Sequence, residues 1–378
     1  MVTKQIEYIG KGTISKVREI LDKTNSKKIF LVTGKDSYIS SGAKDYFESI
    51  KDDFELLQFN SFSSLPLCED IKKGIDIYRS FDPDIIVAIG GGSVIDMAKS
   101  INILSAQPQD ADTYIIGDNK INNSGKALVA IPTTAGSGSE ATSFAVVYKD
   151  GVKYSLQNEY ILPKYSIIDP NLILSIPKNK LIPSALDALS QSIESYWSNQ
   201  SSEESRLYST QAIALILKSV FSAIEDKDES SMANLSLAAH LSGKAINIAK
   251  TTACHAMSYG LSYNFKIPHG IAVAIFLPSV YLYNSKTDSA SCGDPRGLGY
   301  VKSMFSNLNR LFGCNDAEEV SKKLRGMLNS FGVDGLGSLG VRENDISFLA
   351  QQVNIERLNN NPRLVTKMDV YSFYKENL

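Results

Sequence analysis

Three histidines, His240, His255 and His269, are all that this 378-residue chain holds, so any histidine chemistry must use them. His255, in Cys254-His255-Ala256, would lie in or at the end of a helix, and His269, in Pro268-His269-Gly270, at the start of the next. Upstream, Leu186–Trp197 has a helical pattern in which Asp187 and Gln191 stand four apart and share one face. One carboxylate and two imidazoles make a workable divalent-metal set with positions left open for substrate. Taken singly, the same residues have a plainer reading. A lone His is more often a hydrogen-bonded core residue, and Asp187 could be a solvated helix residue. His240 sits in an ordinary helical stretch and is assigned no role.

The strongest local signal is Asp84–Lys99, DIIVAIGGGSVIDMAK. An apolar strand runs into Gly90-Gly91-Gly92 and directly on into a helix. Glycines let a backbone approach a phosphate, and the free N–H groups at a helix start favour an anion. A tight turn alone needs fewer glycines, so Gly91, Gly92 and Ser93 are expected at a phosphate. Ser93 and Asp96 also fit the S-x-x-D capping box. The GxGxxG dinucleotide fingerprint is absent. A second loop, Ile131–Glu140 (IPTTAGSGSE), also follows a strand. Its hydroxyls suit phosphate and ribose, although such composition is common in plain polar loops.

The elements that must position these groups change character along the chain. Apolar runs at Ile29–Thr33, Phe54–Phe59, Ile85–Ile89 and Leu128–Ile131 read as strands. Helical patterns near Ser41–Lys51, Glu69–Phe81 and Ser93–Ser105 lie between them, which predicts βαβ units and a parallel sheet. Phe144–Tyr148 and Val152–Leu156 flank a Lys149-Asp150-Gly151 hairpin signal. From about residue 179 the pattern is helical, over Ser184–Asn199, Glu203–Ile224, Met232–Ala249 and His269–Tyr283, with Asn284–Gly299 as a polar surface loop. The expectation is an α/β nucleotide-binding domain over 1–178 and an all-helical metal- and substrate-binding domain over 179–378.

Composition narrows the function classes. Lys+Arg number 39 against 41 Asp+Glu, a formal charge of −2, which supplies no broad basic face for nucleic acid. The longest apolar runs fall short of the roughly 20 residues that span a bilayer, so no membrane partner is expected. The N-terminus shows no apolar signal-peptide core. Cys68, Cys254, Cys292 and Cys314 are scattered with no CxxC pair. A cysteine zinc site is thereby excluded, a disulfide framework is not expected, and a reducing cytoplasm fits.

Together the motifs resemble the iron-containing (group III) alcohol dehydrogenase family over essentially the whole chain. The resemblance rests on Ala88–Lys99, Ile131–Thr142, Asp169-Pro170, Asp187–Tyr196 (DALSQSIESY), His255–Gly270 and Asn359–Arg363 (NNNPR). It implies the dehydroquinate-synthase-like fold, with an active site between the two domains, NAD(P)(H), a divalent metal (Fe2+ or Zn2+), a small alcohol or aldehyde, and a homodimer. Carried over by position, it implies that Gly91, Gly92, Ser93 and Asp96 belong to the pyrophosphate loop. Thr133, Thr134 and Ser137 would stand beside the phosphates and nicotinamide, Lys153 and Leu174 along the cofactor, and Phe144 at the substrate pocket. Asp187, His255 and His269 match metal ligands.

The family usually has His where Gln191 stands, and often where Tyr259 stands. An amide oxygen is a weaker ligand for Fe2+ or Zn2+ than imidazole. Gln191 is therefore expected either weakly bound to the metal or turned to the substrate, and Tyr259 in a proton path. Gln191, Lys250-Thr251-Thr252 and Asp294–Gly297 resemble the branch that reduces phosphonoacetaldehyde to 2-hydroxyethylphosphonate. On that resemblance Lys250, Thr251 and Thr252 would cradle the phosphonate of a small anionic aldehyde, although a lysine is mostly found facing solvent. NAD-preferring relatives often carry Asp where Gly34 stands. Gly34, with Lys35 and Ser37 near it, implies NADPH, while Asp36 keeps NADH open. The competing readings are a general alcohol dehydrogenase of this family, a dehydroquinate-synthase-like lyase, and a non-catalytic relative with a decayed metal site.

Overall fold

The computed structural model describes residues 4–378. Its core element is a six-stranded parallel sheet in the order β1-β8-β5-β4-β2-β3, formed by β1 (Ile6–Ile9), β2 (Lys28–Thr33), β3 (Glu55–Phe59), β4 (Ile85–Gly90), β5 (Ala127–Pro132) and β8 (Tyr165–Ile168). β4 is buried along its whole length, as a central strand covered on both faces must be. One side of the sheet packs Phe30, Ile86 and Ala130 against Ile71, Ile95 and Ile101. The other packs Ile29, Val87 and Ile131 against Val17, Leu21 and Phe47.

Four strands of this sheet are those the apolar runs predict. β1 and β8 lie beyond them. Each has only four residues, too few for an alternation to stand out from its surroundings. Register aligns Thr33 with Ile89 and Gly90 with Pro132, so the chain leaves β2, β4 and β5 at one edge, carrying Gly34, Gly91 and Thr133 there. β6 (Phe144–Lys149) and β7 (Val152–Gln157) form the expected antiparallel hairpin. Its two turn residues, Asp150 (φ 50°) and Gly151 (φ 76°), are both left-handed, the turn whose twist matches paired strands.

The second half is helical. The Lys178–Trp197 helix starts earlier than the pattern predicts, running through Pro183. His269–Tyr283 is two helices rather than one, His269–Ala274 and Leu277–Ser285. Pro278 stands in the first turn of the second, where its missing N–H is tolerated but cannot continue the helix before it. Glu203–Glu225 is long and apolar enough by length and composition to cross a membrane, which single apolar runs did not reveal. Its Ala212, Ile213, Ile216, Val220 and Ile224 are buried among other side chains, as in the core helix of a folded unit.

The chain divides into two compact units. One is the chain up to Pro177 together with Glu225–Gly243; the other is Lys178–Ile224 with Lys244–Leu378. The sequence reading gives everything after 178 to the second domain. The contacts instead assign Glu225–Gly243 to the sheet unit, where His240 Nδ1 lies 3.1 Å from Glu140 and Gly243 packs its backbone on Gly138.

Candidate metal and cofactor sites

In the helical unit, ligand atoms of Asp187, His255 and His269 all lie within 4.8 Å of one another. Asp187 is carried near the middle of Lys178–Trp197, His255 in the first turn of Ala253–Asn264, and His269 opens His269–Ala274. Gly270 makes the meeting possible. A Cβ there would stand 1.8 Å from the Pro183 carbonyl and 2.9 Å from the Asp187 nitrogen, so only glycine lets the His269 helix lie this close. Asp187 and His255 are buried, at 7% and 5% exposure. Asp187 Oδ1 is 3.5 Å from His255 Nε2 and 4.0 Å from His269 Nε2, and it has no hydrogen-bond partner.

Charge explains the arrangement. Burial opposes ionisation of Asp187, but the close approach of His255, the charge of the two imidazoles and a hydrogen bond from Gln191 outweigh it and hold the carboxyl below its usual range. Burial likewise disfavours a charged His255. The Glu194 charge and the Asp187 contact outweigh that and raise its pKa to about 10. Two buried carboxylates, Asp187 and Glu194, call for positive charge beside them, which a proton on His255 supplies here and a divalent cation would supply in its place; with an orphaned Asp187 Oδ1 the set fits such a cation.

Glu194 was not singled out from the sequence. Fully buried, it hydrogen-bonds His255 Nδ1 through Oε2. Its Oε1 accepts from the Thr252 hydroxyl (2.8 Å) and the backbone N–H groups of Thr252 (3.0 Å) and Cys254 (2.9 Å). It thus anchors the start of the His255 helix and holds the proton on Nδ1, so that Nε2, the nitrogen turned toward Asp187, is the one that would ligate a cation on giving up its proton. The available signal was its place on the same helix face as Asp187, two turns on.

Of the expected cradle, Thr252 is buried and its hydroxyl is in use: it donates to Glu194 and accepts from Trp197 Nε1 at 2.8 Å. That makes it a brace for the His255 helix rather than a hydroxyl turned to a ligand. Lys250 and Thr251 are half-buried. Lys250 has left-handed backbone (φ 61°), its Nζ donates to the Asn247 carbonyl at 3.3 Å, and burial lowers its pKa. Tyr259 stacks on His269 with planes 5° apart, and its hydroxyl accepts from Arg357. Gln191, 4% exposed, bonds Asp187 on the shared face.

In the sheet unit, the glycine loop and the hydroxyl loop meet. A Cβ on Gly91 would stand 3.3 Å from Thr134, and one on Gly92 would stand 2.7 Å from Ser137. Gly91 caps the Gly92–Ser105 helix, so Ser93 lies within its first turn. The Ser93–Asp96 capping box does not form. Asp96 instead accepts from the Ser139 hydroxyl and, at 3.0 Å, from the Val146 N–H. Burial pushes its carboxyl up, against the opposing charges of Lys99 and Lys153. Thr133 is buried, with its N–H on the Gly90 carbonyl at 3.0 Å. Gly34 caps the Lys35–Ser40 helix next to Ser37, with its N–H on Ile89. Lys35 is exposed, and Phe144, Lys153 and Leu174 are half-buried on β6, on β7 and after the 3-10 turn Pro170–Ile173.

Lys99 is a second residue not foreseen. It is 1% exposed, and its ammonium bonds the carbonyls of Ser139, Thr142 (2.8 Å) and Phe144 (3.0 Å) and the Thr142 hydroxyl (2.9 Å). It ties the hydroxyl loop to the glycine-loop helix.

Comparison with known proteins identifies the family. The model for iron-containing alcohol dehydrogenases matches residues 5–170, and that for the C-terminal part of the same family matches 181–378. The chain is 33% identical to a phosphonoacetaldehyde reductase of Streptomyces viridochromogenes, over 75% of this chain and 74% of that one. It is 32% identical to an NADPH-dependent butanol dehydrogenase of Clostridium saccharobutylicum, over 74% and 72%. An alcohol dehydrogenase from Oenococcus oeni superimposes with a TM-score of 0.89 at 26% identity, covering 99% of this chain and 98% of that structure. With Asp187, His255 and His269 gathered in one unit and the glycine-rich loop in the other, the chain belongs to the iron-containing alcohol dehydrogenase family and is an NAD(P)-dependent oxidoreductase of alcohols and aldehydes.

Proposed function

We propose that this enzyme reduces a small anionic aldehyde, phosphonoacetaldehyde, to 2-hydroxyethylphosphonate, and that it uses NADPH. The observation that carries the reading is the turn at Lys250-Thr251. It holds a lysine in left-handed backbone immediately before the helix that supplies His255. Similarity to the Streptomyces reductase supports it. At the end of β2, Gly34 presents no carboxylate to repel a ribose 2′-phosphate, and Lys35 and Ser37 follow it.

A divalent cation, Fe2+ or Zn2+, supplies Lewis acidity at the aldehyde oxygen when bound, and reduced nicotinamide supplies the hydride. Asp187, His255 and His269 would hold the cation, with Glu194 fixing the His255 ring. Tyr259, stacked on His269, offers a hydroxyl through which a proton reaches the product oxygen. Lys250 attracts the phosphonate, so binding away from the reacting carbon orients the aldehyde.

The test is NADPH oxidation by the metal-loaded enzyme with phosphonoacetaldehyde, acetaldehyde and propanal. The expected result is a kcat/KM for the phosphonate about 100-fold or more above the neutral aldehydes. Equal values would make the chain a general alcohol dehydrogenase, and a strong NADH preference would overturn the cofactor reading.

A further inference from the structure

The short 3-10 turn Ile355–Asn360 reaches both the His255 helix, Ala253–Asn264, and the segment that leads into it. At one end, Asn360 Nδ2 donates to the carbonyls of Ala249 (2.9 Å) and Thr251 (3.0 Å), the residues flanking Lys250. At the other, Arg357 donates to the Tyr259 hydroxyl at 2.9 Å and lies over that ring, 5.0 Å from its centroid. The Tyr259 ring in turn stacks on His269 with centroids 6.2 Å apart. Arg357 is therefore one aromatic ring away from the candidate metal ligands, on the same turn that fixes the Lys250 backbone.

The Arg357 guanidinium has five N–H donors. Among the described residues the Tyr259 hydroxyl is its one acceptor, and no carboxylate lies within ion-pair distance of it. A structural arginine normally meets carboxylates or carbonyls on several sides, as Arg296 does here with Asp294, Ser198 and Ser201. Arg357 instead has an exposed edge, and its stack on Tyr259 holds the fork in place, so less side-chain freedom is lost when it binds an oxyanion.

We infer that Arg357 is a specificity-determining residue: its fork grips the oxyanion of an aldehyde that carries a phosphonate, or a similar tetrahedral anion, one methylene from the carbonyl. Lys250 supplies the second positive charge. This rests on the anionic-aldehyde reading above and adds to it the group that makes the directional, two-pronged contact. A planar fork matches a phosphonate edge bidentately, which a lysine cannot do. Nor can Thr252, whose hydroxyl is already bonded on both sides.

The experiment compares wild type, Arg357→Gln and Arg357→Lys with phosphonoacetaldehyde and propanal, and measures inhibition of propanal reduction by methylphosphonate. Arg357→Gln is expected to lower kcat/KM for the phosphonate about 100-fold, chiefly through KM, against about threefold for propanal, and to weaken methylphosphonate inhibition in step. Arg357→Lys is expected to recover about tenfold of the phosphonate loss. Equal losses on both aldehydes, with methylphosphonate inhibition unchanged, would make Arg357 a clamp on Tyr259 and overturn the inference. Wild type that shows no phosphonate preference would defeat the earlier reading. Inhibition by methylphosphonate that depends on Arg357 would still uphold the anion site. Should Arg357→Gln not fold, the lysine variant and methylphosphonate inhibition carry the same comparison.

Discussion

Glu194 divides its two oxygens between a helix start and an imidazole, and the division predicts what its amide would do. In Glu194→Gln the amide oxygen can still accept from Thr252 and Cys254. The amide nitrogen then faces His255 Nδ1 and donates to it. The ring must shift its proton to Nε2, the nitrogen turned toward Asp187. That tautomer cannot ligate, so metal affinity should fall about 10–100-fold, read as metal retained after dialysis against a graded chelator. The same scale holds the cofactor test. Gly34 has an ordinary extended φ of −71°, and a Cβ there meets only the flexible Ser37 hydroxyl at close range. Gly34→Asp should therefore fold, and its carboxylate should cut kcat/KM with NADPH by about tenfold or more while favouring NADH, as parallel titrations of the two cofactors would show. Asp187, His255 and His269 were legible as residue types at helical spacing. Glu194 and Arg357 were not, because what marks them is a partner about 60 or 100 positions away in the chain, and only the fold supplies it.

At the scale of elements, the buried Lys99 ammonium, beside the Asp96–Ser139 hydrogen bond, holds the glycine-loop helix to the hydroxyl loop. Lys99→Met would keep the stem and strand the carbonyls of Ser139, Thr142 and Phe144 without a donor. The loss should be about 3–5 kcal/mol, seen as a lower denaturation midpoint together with weaker dinucleotide binding. In the sequence Lys99 is one charge in an apolar helix, and nothing nearby announces that its acceptors begin at residue 139. The central strands were readable because their apolar runs are continuous. β1 and β8 were not, because four residues carry too little pattern. The break after Ala274 follows from Pro278, so the proline was the better guide there than the periodicity that ran through it.

At the scale of the whole molecule, His240 joins the Glu225–Gly243 segment to the sheet unit between Glu140 and Glu7. Burial lowers its pKa, but hydrogen bonds and charge from the two carboxylates outweigh that and raise it above the ordinary histidine value of about 6.5. A histidine raised in the folded state adds stability that is fully present below about pH 6.5 and is lost as pH rises through the folded value. Thermal midpoints of wild type should fall across that window relative to His240→Gln, whose midpoint lacks the dependence. A parallel pair of curves would show that the ring titrates alike in both states. The path of the chain has a further consequence. It leaves the sheet unit at Pro177, returns for Glu225–Gly243 and leaves again. A gene divided at codon 178 would therefore not yield two self-sufficient products. The upstream fragment would lack its own helix and should be recovered in soluble form only when the downstream fragment is co-expressed to complement it.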